Sequence, residues 1–153
     1  MYSNNIKRFC YILTVSLMVF LTACSTPSDK VFKQNAQVIA DQILDKMAEK
    51  KFIEVLPFYD QRFYERITPE RWLESLEKLD KELGDYQSRK LVASNVVHGY
   101  STRSRATTVL VYRVIYTKKY AIHKFTFTSD ESADNIILVG HYIDFPEDKP
   151  GEK

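Results

Sequence analysis

Three histidines, His98, His123 and His141, are the residues of this chain best suited to acid–base or metal chemistry. They fall in separate segments with no spacing typical of a metal-binding motif, so we expect no metal site. The chain has four glycines, and none of them forms a phosphate-binding loop or a dinucleotide-binding motif. The sequence also lacks the glycine-flanked serine of a nucleophile elbow. It therefore names no reaction and predicts no cofactor.

The thiol of Cys24 is a group for which the sequence predicts a specific chemical modification. The segment before it begins with two positive charges, Lys7 and Arg8, and residues 9–22 then carry no charge. That run has the length of the apolar region of a signal peptide, and it is shorter than the about 20 apolar residues that a membrane-spanning helix needs. Its ending, Leu-Thr-Ala-Cys at residues 21–24, resembles the lipobox of bacterial lipoproteins.

The lipobox resemblance implies that residues 1–23 are a signal peptide and that Cys24 becomes the lipidated first residue. Each acyl chain contributes about 0.8 kcal/mol per buried methylene, so an anchor of several chains is effectively permanent. Ser25 stands where lipoproteins retained in the inner membrane often have Asp, so the resemblance points to the periplasmic face of the outer membrane. The alternative is an N-terminal membrane anchor that is never cleaved.

Maturation would leave no free cysteine and no net charge. Cys10 leaves with the signal peptide and Cys24 carries the lipid, so we expect no disulfide, no thiolate nucleophile and no cysteine metal ligand. The 22 Lys and Arg residues lose Lys7 and Arg8, which leaves 20 against 20 Asp and Glu. A neutral domain is poorly suited to binding nucleic acid, and we expect none as a partner.

The rest of the chain divides into a tether, one domain and a tail. Residues 24–30 are polar and contain Pro27, which predicts a short lipidated tether that keeps the domain near the membrane. Residues 31–145 have the length of a single domain. Residues 146–153 contain two prolines, one glycine and charges of both signs, which predicts a disordered tail.

The first half of the domain has helical patterns. Apolar residues recur at intervals of three and four from Val31 to Lys50, which predicts an amphipathic helix. The aromatic-rich segment from Phe52 to Ile67 predicts a short helix, a turn and a second short helical piece. The next helix is delimited by Thr68 as its N-cap, Pro69 at its first position and Gly84 as its end.

Beyond Gly84 the apolar residues alternate as they do in strands. Four segments are rich in Val, Ile, Thr, Tyr and Phe: Tyr86 to Val97, Ala106 to Thr117, Tyr120 to Thr128 and Ile136 to Phe145. Helices followed by strands predict an α+β fold, in which N-terminal helices pack on one face of a four-stranded antiparallel sheet.

Strand register predicts which residues share a face of that sheet. With turns at Lys118-Lys119 and at residues 129–134, Arg113 lies directly opposite Lys124. The face toward the helices would carry Leu110, Tyr112, Val114, Tyr116, His123, Phe125, Phe127, Ile136, Leu138 and Tyr142. The other face would carry Val109, Val111, Ile115, Ile122, Ile137, Val139 and Ile143, together with Arg113, Lys124 and His141. A slip of one residue in either hairpin would exchange the faces.

Several short motifs, taken in order, resemble the nuclear transport factor 2-like superfamily, and in particular its small bacterial secreted members. They are Phe58-Tyr59-Asp60-Gln61-Arg62-Phe63, Thr68-Pro69-Glu70-Arg71-Trp72, Leu83-Gly84 leading to Ser88-Arg89, and Gly140-His141-Tyr142-Ile143. The resemblance covers about residues 31–145. It implies a curved sheet wrapped as a cone around the helices, often with a pocket at its open end and often dimeric through the outer sheet face.

The preferred functional hypothesis is a non-enzymatic envelope lipoprotein that binds a protein partner or a second copy of itself. Its basis is the second sheet face, which is too apolar to be left in water. The residues expected in that partner surface are Val111, Arg113, Lys124, Ile137 and His141.

The alternative hypothesis is a pocket that binds or converts a small hydrophobic molecule. The residues expected around it are Asp60, Tyr112, Tyr116, His123 and Tyr142. The family resemblance implies Asp60 as a general base, because enzymes of the superfamily use a pocket Asp or His in that role. From the residues themselves, Asp60 is better explained as a helix cap, and His123 as a core histidine hydrogen-bonded to a tyrosine.

Overall fold

The computed structural model describes residues 27–97, 106–129 and 135–145. Its elements are α1 (Pro27–Ala48), a 3₁₀-helix (Phe52–Phe58), α2 (Gln61–Tyr64), α3 (Pro69–Leu83), β1 (Tyr86–Val97), β2 (Thr107–Tyr116), β3 (Tyr120–Ser129) and β4 (Ile136–Asp144). The strands form one open antiparallel sheet in the order β1-β2-β3-β4. The α+β class with N-terminal helices and a four-stranded antiparallel sheet is therefore confirmed. His98, Cys24, the predicted signal peptide and the predicted tail lie outside the described residues.

Helix α1 begins four residues earlier than its apolar pattern predicts. The sequence places residues 24–30 in a tether, whereas the helix begins at Pro27. Proline suits a first helical turn because its missing N–H would have no partner there, and Asp29 adds a carboxylate at the positive end of the helix dipole. Residues 27–30 of the predicted tether are therefore helical. Among the described residues, no helix is both long and apolar enough to cross a membrane.

Helix α3 has the bounds that its local signals predict. The Oγ1 of Thr68 accepts a hydrogen bond from the Arg71 N–H at 3.3 Å, and Pro69 occupies the first helical position. The helix ends at Gly84, whose φ of 84° is open to glycine and costly for other residues. The Gly84 N–H donates to the Asp80 carbonyl at 2.9 Å, which satisfies one terminal carbonyl of the helix.

The core lies between the helices and one face of the sheet. We call that side the inner face; in β2 it carries Leu110, Tyr112, Val114 and Tyr116, all buried. Helix α1 packs against all four strands, and its buried positions are Phe32, Ala36, Ala40, Ile43 and Leu44. The opposite side is the outer face; in β2 it carries Val109, Val111, Arg113 and Ile115, which are partly or fully exposed.

The β2–β3 hairpin turns one residue earlier than predicted. The Tyr116 N–H donates to the Lys119 carbonyl at 2.9 Å, so Thr117 and Lys118 form the turn. Moving a turn by one residue shifts every cross-strand partner by two residues. Each side chain therefore stays on its predicted face of the sheet but lies opposite a different residue. Arg113 therefore lies opposite Ile122, and Lys124 lies opposite Val111. The predicted juxtaposition of Arg113 and Lys124 is wrong.

A β-bulge in β4 exchanges the faces of its last residues. Phe127 pairs with Leu138 while Thr126 pairs with Gly140, so Val139 is the extra residue. Beyond the bulge the alternation is inverted. His141 is on the inner face and 8% exposed, whereas Tyr142 is on the outer face and 64% exposed. The predictions that placed His141 outside and Tyr142 inside are therefore wrong.

Candidate functional site

The structure brings together three of the five residues predicted around a pocket. Tyr112, Tyr116 and His123 are buried on the inner face. Tyr142 is on the outer face, and Asp60 lies at the start of α2. The hydroxyl of Tyr112 is buried without a hydrogen-bond partner, and its pKa is raised by burial and by the nearby Asp41 carboxylate.

Asp60 is a helix cap in the structure. Its carboxylate accepts hydrogen bonds from the Arg62 N–H at 3.1 Å and from the Arg62 Nε at 2.7 Å. The Arg62 guanidinium lowers the pKa of this carboxyl below its ordinary value. A general base that acts near neutral pH needs a raised pKa, so this environment does not prepare Asp60 for proton abstraction. The backbone N–H of Asp60 donates to the Leu138 carbonyl at 3.0 Å, which fixes the segment to the edge of β4.

His123 belongs to a buried chain of four polar side chains, which we call the His–Tyr chain. Its members in order are Tyr116, His123, His141 and Tyr59. The Oη of Tyr116 lies 3.1 Å from Nε2 of His123, Nδ1 of His123 lies 3.1 Å from Nε2 of His141, and Nδ1 of His141 lies 2.7 Å from Oη of Tyr59. All four residues are at most 9% exposed. The chain joins β2, β3, β4 and the segment before α2.

Aromatic rings pack around His141 in the His–Tyr chain. The Phe125 ring stacks on His141 at 4.0 Å between centroids, and the Trp72 ring meets His141 edge-on at 5.5 Å. Burial lowers the pKa of His123 to about 3. Burial, with a smaller contribution from His123, also takes the pKa of His141 well below its ordinary value. Both imidazoles are therefore neutral at pH 7, and each holds one proton on one nitrogen.

Neutral imidazoles restrict the His–Tyr chain to two proton orders. Exactly one proton can lie between the histidines, so donation runs either from Tyr116 toward Tyr59 or in the opposite direction. The distances fit both orders, which differ in whether Tyr116 or Tyr59 donates to its histidine. Burial raises the pKa of Tyr59, and the nearby Trp72 N–H partly offsets that rise without forming a hydrogen bond.

The His–Tyr chain ends beside a small recess at Tyr116. The recess is lined by Met47, Phe52, Leu79, Asp80, Leu83, Tyr116, His123 and Ile143. Its free volume is about 10 Å³, which is room for about one water molecule. In the order that starts at Tyr59, the Tyr116 hydroxyl accepts from His123 and is free to donate toward this space. A ligand of several heavy atoms does not fit there.

The outer face has a basic half and a neutral half. The basic half consists of two cross-strand rows, Lys90–Arg113–Ile122–Asp144 and Ala93–Val111–Lys124–Tyr142. The neutral half consists of the rows Asn95–Val109–Thr126–Gly140 and Val97–Thr107–Thr128–Ile137. Four of the five predicted partner-surface residues, Val111, Arg113, Lys124 and Ile137, are on this face. The fifth, His141, is in the His–Tyr chain.

The structure brings into these two regions two residues that sequence reasoning missed, Tyr59 and Lys90, and one that it placed on the wrong face, Tyr142. Tyr59 is one of the aromatic residues before α2, and its hydroxyl reaches His141 because the backbone there pairs with Leu138. Tyr142 and Lys90 join the outer face. No local sequence pattern indicates which face of the sheet carries Tyr142, because that face depends on the β4 bulge. Lys90 could have been found by extending the predicted register to β1.

In the part of the chain that the structure describes, no group of three or more His, Cys, Asp or Glu side chains could hold a metal ion. Comparisons with protein-family models, with curated proteins and with solved structures each found no match to this chain.

Proposed function

We propose that this chain is a lipid-anchored envelope protein whose single domain binds another protein through the outer face, without catalysis. One observation carries the proposal. In β2 the inner-face residues are fully buried, while the apolar outer-face residues Val109, Val111 and Ile115 remain partly exposed. The helices of the described chain thus cover one face only, and apolar side chains left together on the other face of a sheet mark a contact surface.

The exposed Tyr142 adds to this support. Its side chain is 64% exposed beside Lys124, with which it is paired across the strands. Tyrosine is enriched in protein–protein interfaces, because its ring buries a large apolar area while its hydroxyl can still form a hydrogen bond. An aromatic side chain in this position suits a contact that a partner would complete.

The pocket hypothesis receives less support. The recess at Tyr116 and His123 has room for about one water molecule, and the polar groups of the His–Tyr chain bond to each other. Ligand pockets in proteins usually have volumes of roughly 300 Å³ or more. A buried and internally satisfied His–Tyr chain is better explained as part of the core.

We also propose that the fold is that of the nuclear transport factor 2-like superfamily. The support is the order of its elements, in which a long first helix and a capped helix at Thr68 precede four antiparallel strands. The β4 bulge adds to it, because bulges increase local twist and help a sheet to curve.

The anchor is tested by metabolic labelling with palmitate. The wild-type chain should take up the label and sediment with outer-membrane vesicles, whereas Cys24→Ser should be unlabelled. Label that persists in Cys24→Ser would contradict lipidation at this residue. Wild-type chain in the inner-membrane fraction would contradict the outer-membrane location expected from Ser25.

The binding surface is tested by photo-crosslinking in intact cells. A photo-reactive residue at Val111 should give crosslinked protein adducts. The same residue at Val38, a valine of α1 that is 56% exposed, is the matched control and should give few. Equal adducts at both positions, or none at Val111 in a correctly folded chain, would contradict the proposed role of the outer face.

A further inference from the structure

The cations of the outer face are confined to its basic half. Lys90, Arg113 and Lys124 come from three adjacent strands, and Asp144 is the one carboxylate in the same two rows. None of the three cations forms an ion pair with a carboxylate of the described residues. The three therefore form a positive area next to partly exposed apolar side chains.

This arrangement is unfavourable in the isolated domain. Lys90 and Arg113 are direct cross-strand partners, and like charges in that relationship destabilise a sheet. The Arg113 guanidinium lies 4.2 Å above the centre of the Tyr120 ring, which holds it against the sheet. A carboxylate placed between Lys90 and Arg113 would relieve the repulsion and accept hydrogen bonds from the guanidinium.

We infer that the partner of the outer face is a different protein, with carboxylates that meet the basic half and apolar or aromatic side chains that pack on Val109, Val111 and Tyr142. The inference rests on the proposed function, since it names the partner of the same surface. Apolar packing supplies affinity at such a contact, and the charges select the partner and its orientation.

A second copy of this chain fits the described rows of this surface poorly. Among the described residues, two outer faces that met with their basic halves together would bring both sets of three cations against each other, with only the two Asp144 carboxylates between them. If each basic half met a neutral half, the cations would lie against Val97, Thr107 and Ile137, and no described residue of the neutral rows would supply a carboxylate. Both arrangements leave unpaired charges among these residues, which is strongly unfavourable in an interface.

The test uses the full lipidated chain in detergent micelles and a phage-displayed random peptide library as the probe. Enriched peptides should combine Asp or Glu with aromatic or aliphatic residues. Their affinity should fall by about tenfold or more with Lys124→Glu and with Lys90→Glu. Lys78→Glu, on the exposed side of α3, is the matched control and should leave binding unchanged. Replacing the peptide acids with amides should have the same effect as the charge reversals.

The outcomes separate this inference from the proposed function. Peptides whose binding is lost with Val111→Asp and is unaffected by Lys124→Glu would overturn the inference and keep the outer face as the binding surface. A dimer that is seen in sedimentation velocity and is lost with Val111→Asp would also overturn the inference and keep the outer face as the binding surface. A selection that yields no peptide sensitive to either change overturns the inference, and the photo-crosslinking at Val111 then decides the proposed function by itself.

Discussion

Nδ1 of His123 lies 3.1 Å from Nε2 of His141, in the middle of the core between β3 and β4. One of the two nitrogens must donate and the other must accept, so the pair is compatible with at most one shared proton at this contact. Burial makes an added positive charge costly there. The core is therefore built around two imidazoles that must stay neutral, and this has measurable consequences.

The first prediction is that stability falls as pH drops below the ordinary histidine range. The folded pKa of His123 is lowered to about 3 and that of His141 is also lowered, while both titrate near 6.5 in the unfolded chain. The stabilisation is thus complete above about pH 6.5 and is lost as protons bind the unfolded chain below it. The free energy of unfolding should fall by up to about 2.8 kcal/mol per pH unit, since each histidine contributes about 1.4 kcal/mol per pH unit.

Urea unfolding between about pH 7 and pH 5 measures this dependence in a window above the carboxylate range. His123→Gln should reduce the slope by about half, because one of the two buried imidazoles is gone. A free energy of unfolding that stays constant over this window in the wild-type chain would contradict the neutral, desolvated pair.

The second prediction concerns the Tyr59 hydroxyl at the end of the His–Tyr chain. Tyr59→Phe removes the group 2.7 Å from Nδ1 of His141 and leaves that buried nitrogen without a partner. The expected loss is about 1 to 3 kcal/mol, the cost of an unsatisfied buried polar group. Tyr142→Phe is the matched control and should change stability by less than about 0.5 kcal/mol, since Tyr142 is 64% exposed. Equal losses of stability in the two variants would mean that the hydrogen bond between Tyr59 and His141 contributes nothing to stability.

The third prediction concerns Gly84 at the end of α3. Its φ is 84°, and a Cβ added there would lie 2.2 Å from Oγ1 of Thr117. That hydroxyl accepts a hydrogen bond from the Asp85 N–H at 2.9 Å, so moving it away has its own cost. Gly84→Ala should lower stability by about 2 kcal/mol or more.

The matched control for Gly84→Ala is Gly140→Ala. A Cβ at Gly140 meets the Thr126 Cβ at 3.3 Å, a tight contact that small shifts can relieve, and the loss should be about 1 kcal/mol or less. Thermal unfolding of the two variants measures the difference. If Gly140→Ala lowers the unfolding temperature more than Gly84→Ala does, the positive φ of Gly84 does not make an alanine there especially costly.

The fourth prediction tests the β4 bulge by thiol labelling. Residues 138 and 142 would share a face in a regular strand, but the extra residue Val139 places Leu138 inside and Tyr142 outside. A maleimide should label Tyr142→Cys rapidly and Leu138→Cys only after denaturation. The Leu138 side chain is 1% exposed, so protection should be strong. Equal rates in the folded chain would place both residues on one face and rule out the bulge.

Local chemistry was enough to predict the helices and strands. The bounds of α3 follow from Thr68, Pro69 and Gly84, because caps act within one turn and need no tertiary partner. The faces of β2 also follow, because side chains alternate along any regular strand. Asp60 as a helix cap is confirmed for the same local reason. His123 as a buried histidine bonded to a tyrosine is also confirmed, but that hydrogen bond depends on how β2 pairs with β3.

Only the tertiary structure decided the sides of His141 and Tyr142 and the partners of the buried histidine. One extra residue in β4 inverts the alternation beyond it, and its position depends on how β4 packs against β3 and on the Tyr59 segment at its edge. The sequence by itself therefore determined the class of fold and two faces for the sheet. Pairing between distant segments decided that His141 completes the core and that Tyr142 meets the solvent, because register is a property of two strands and not of one.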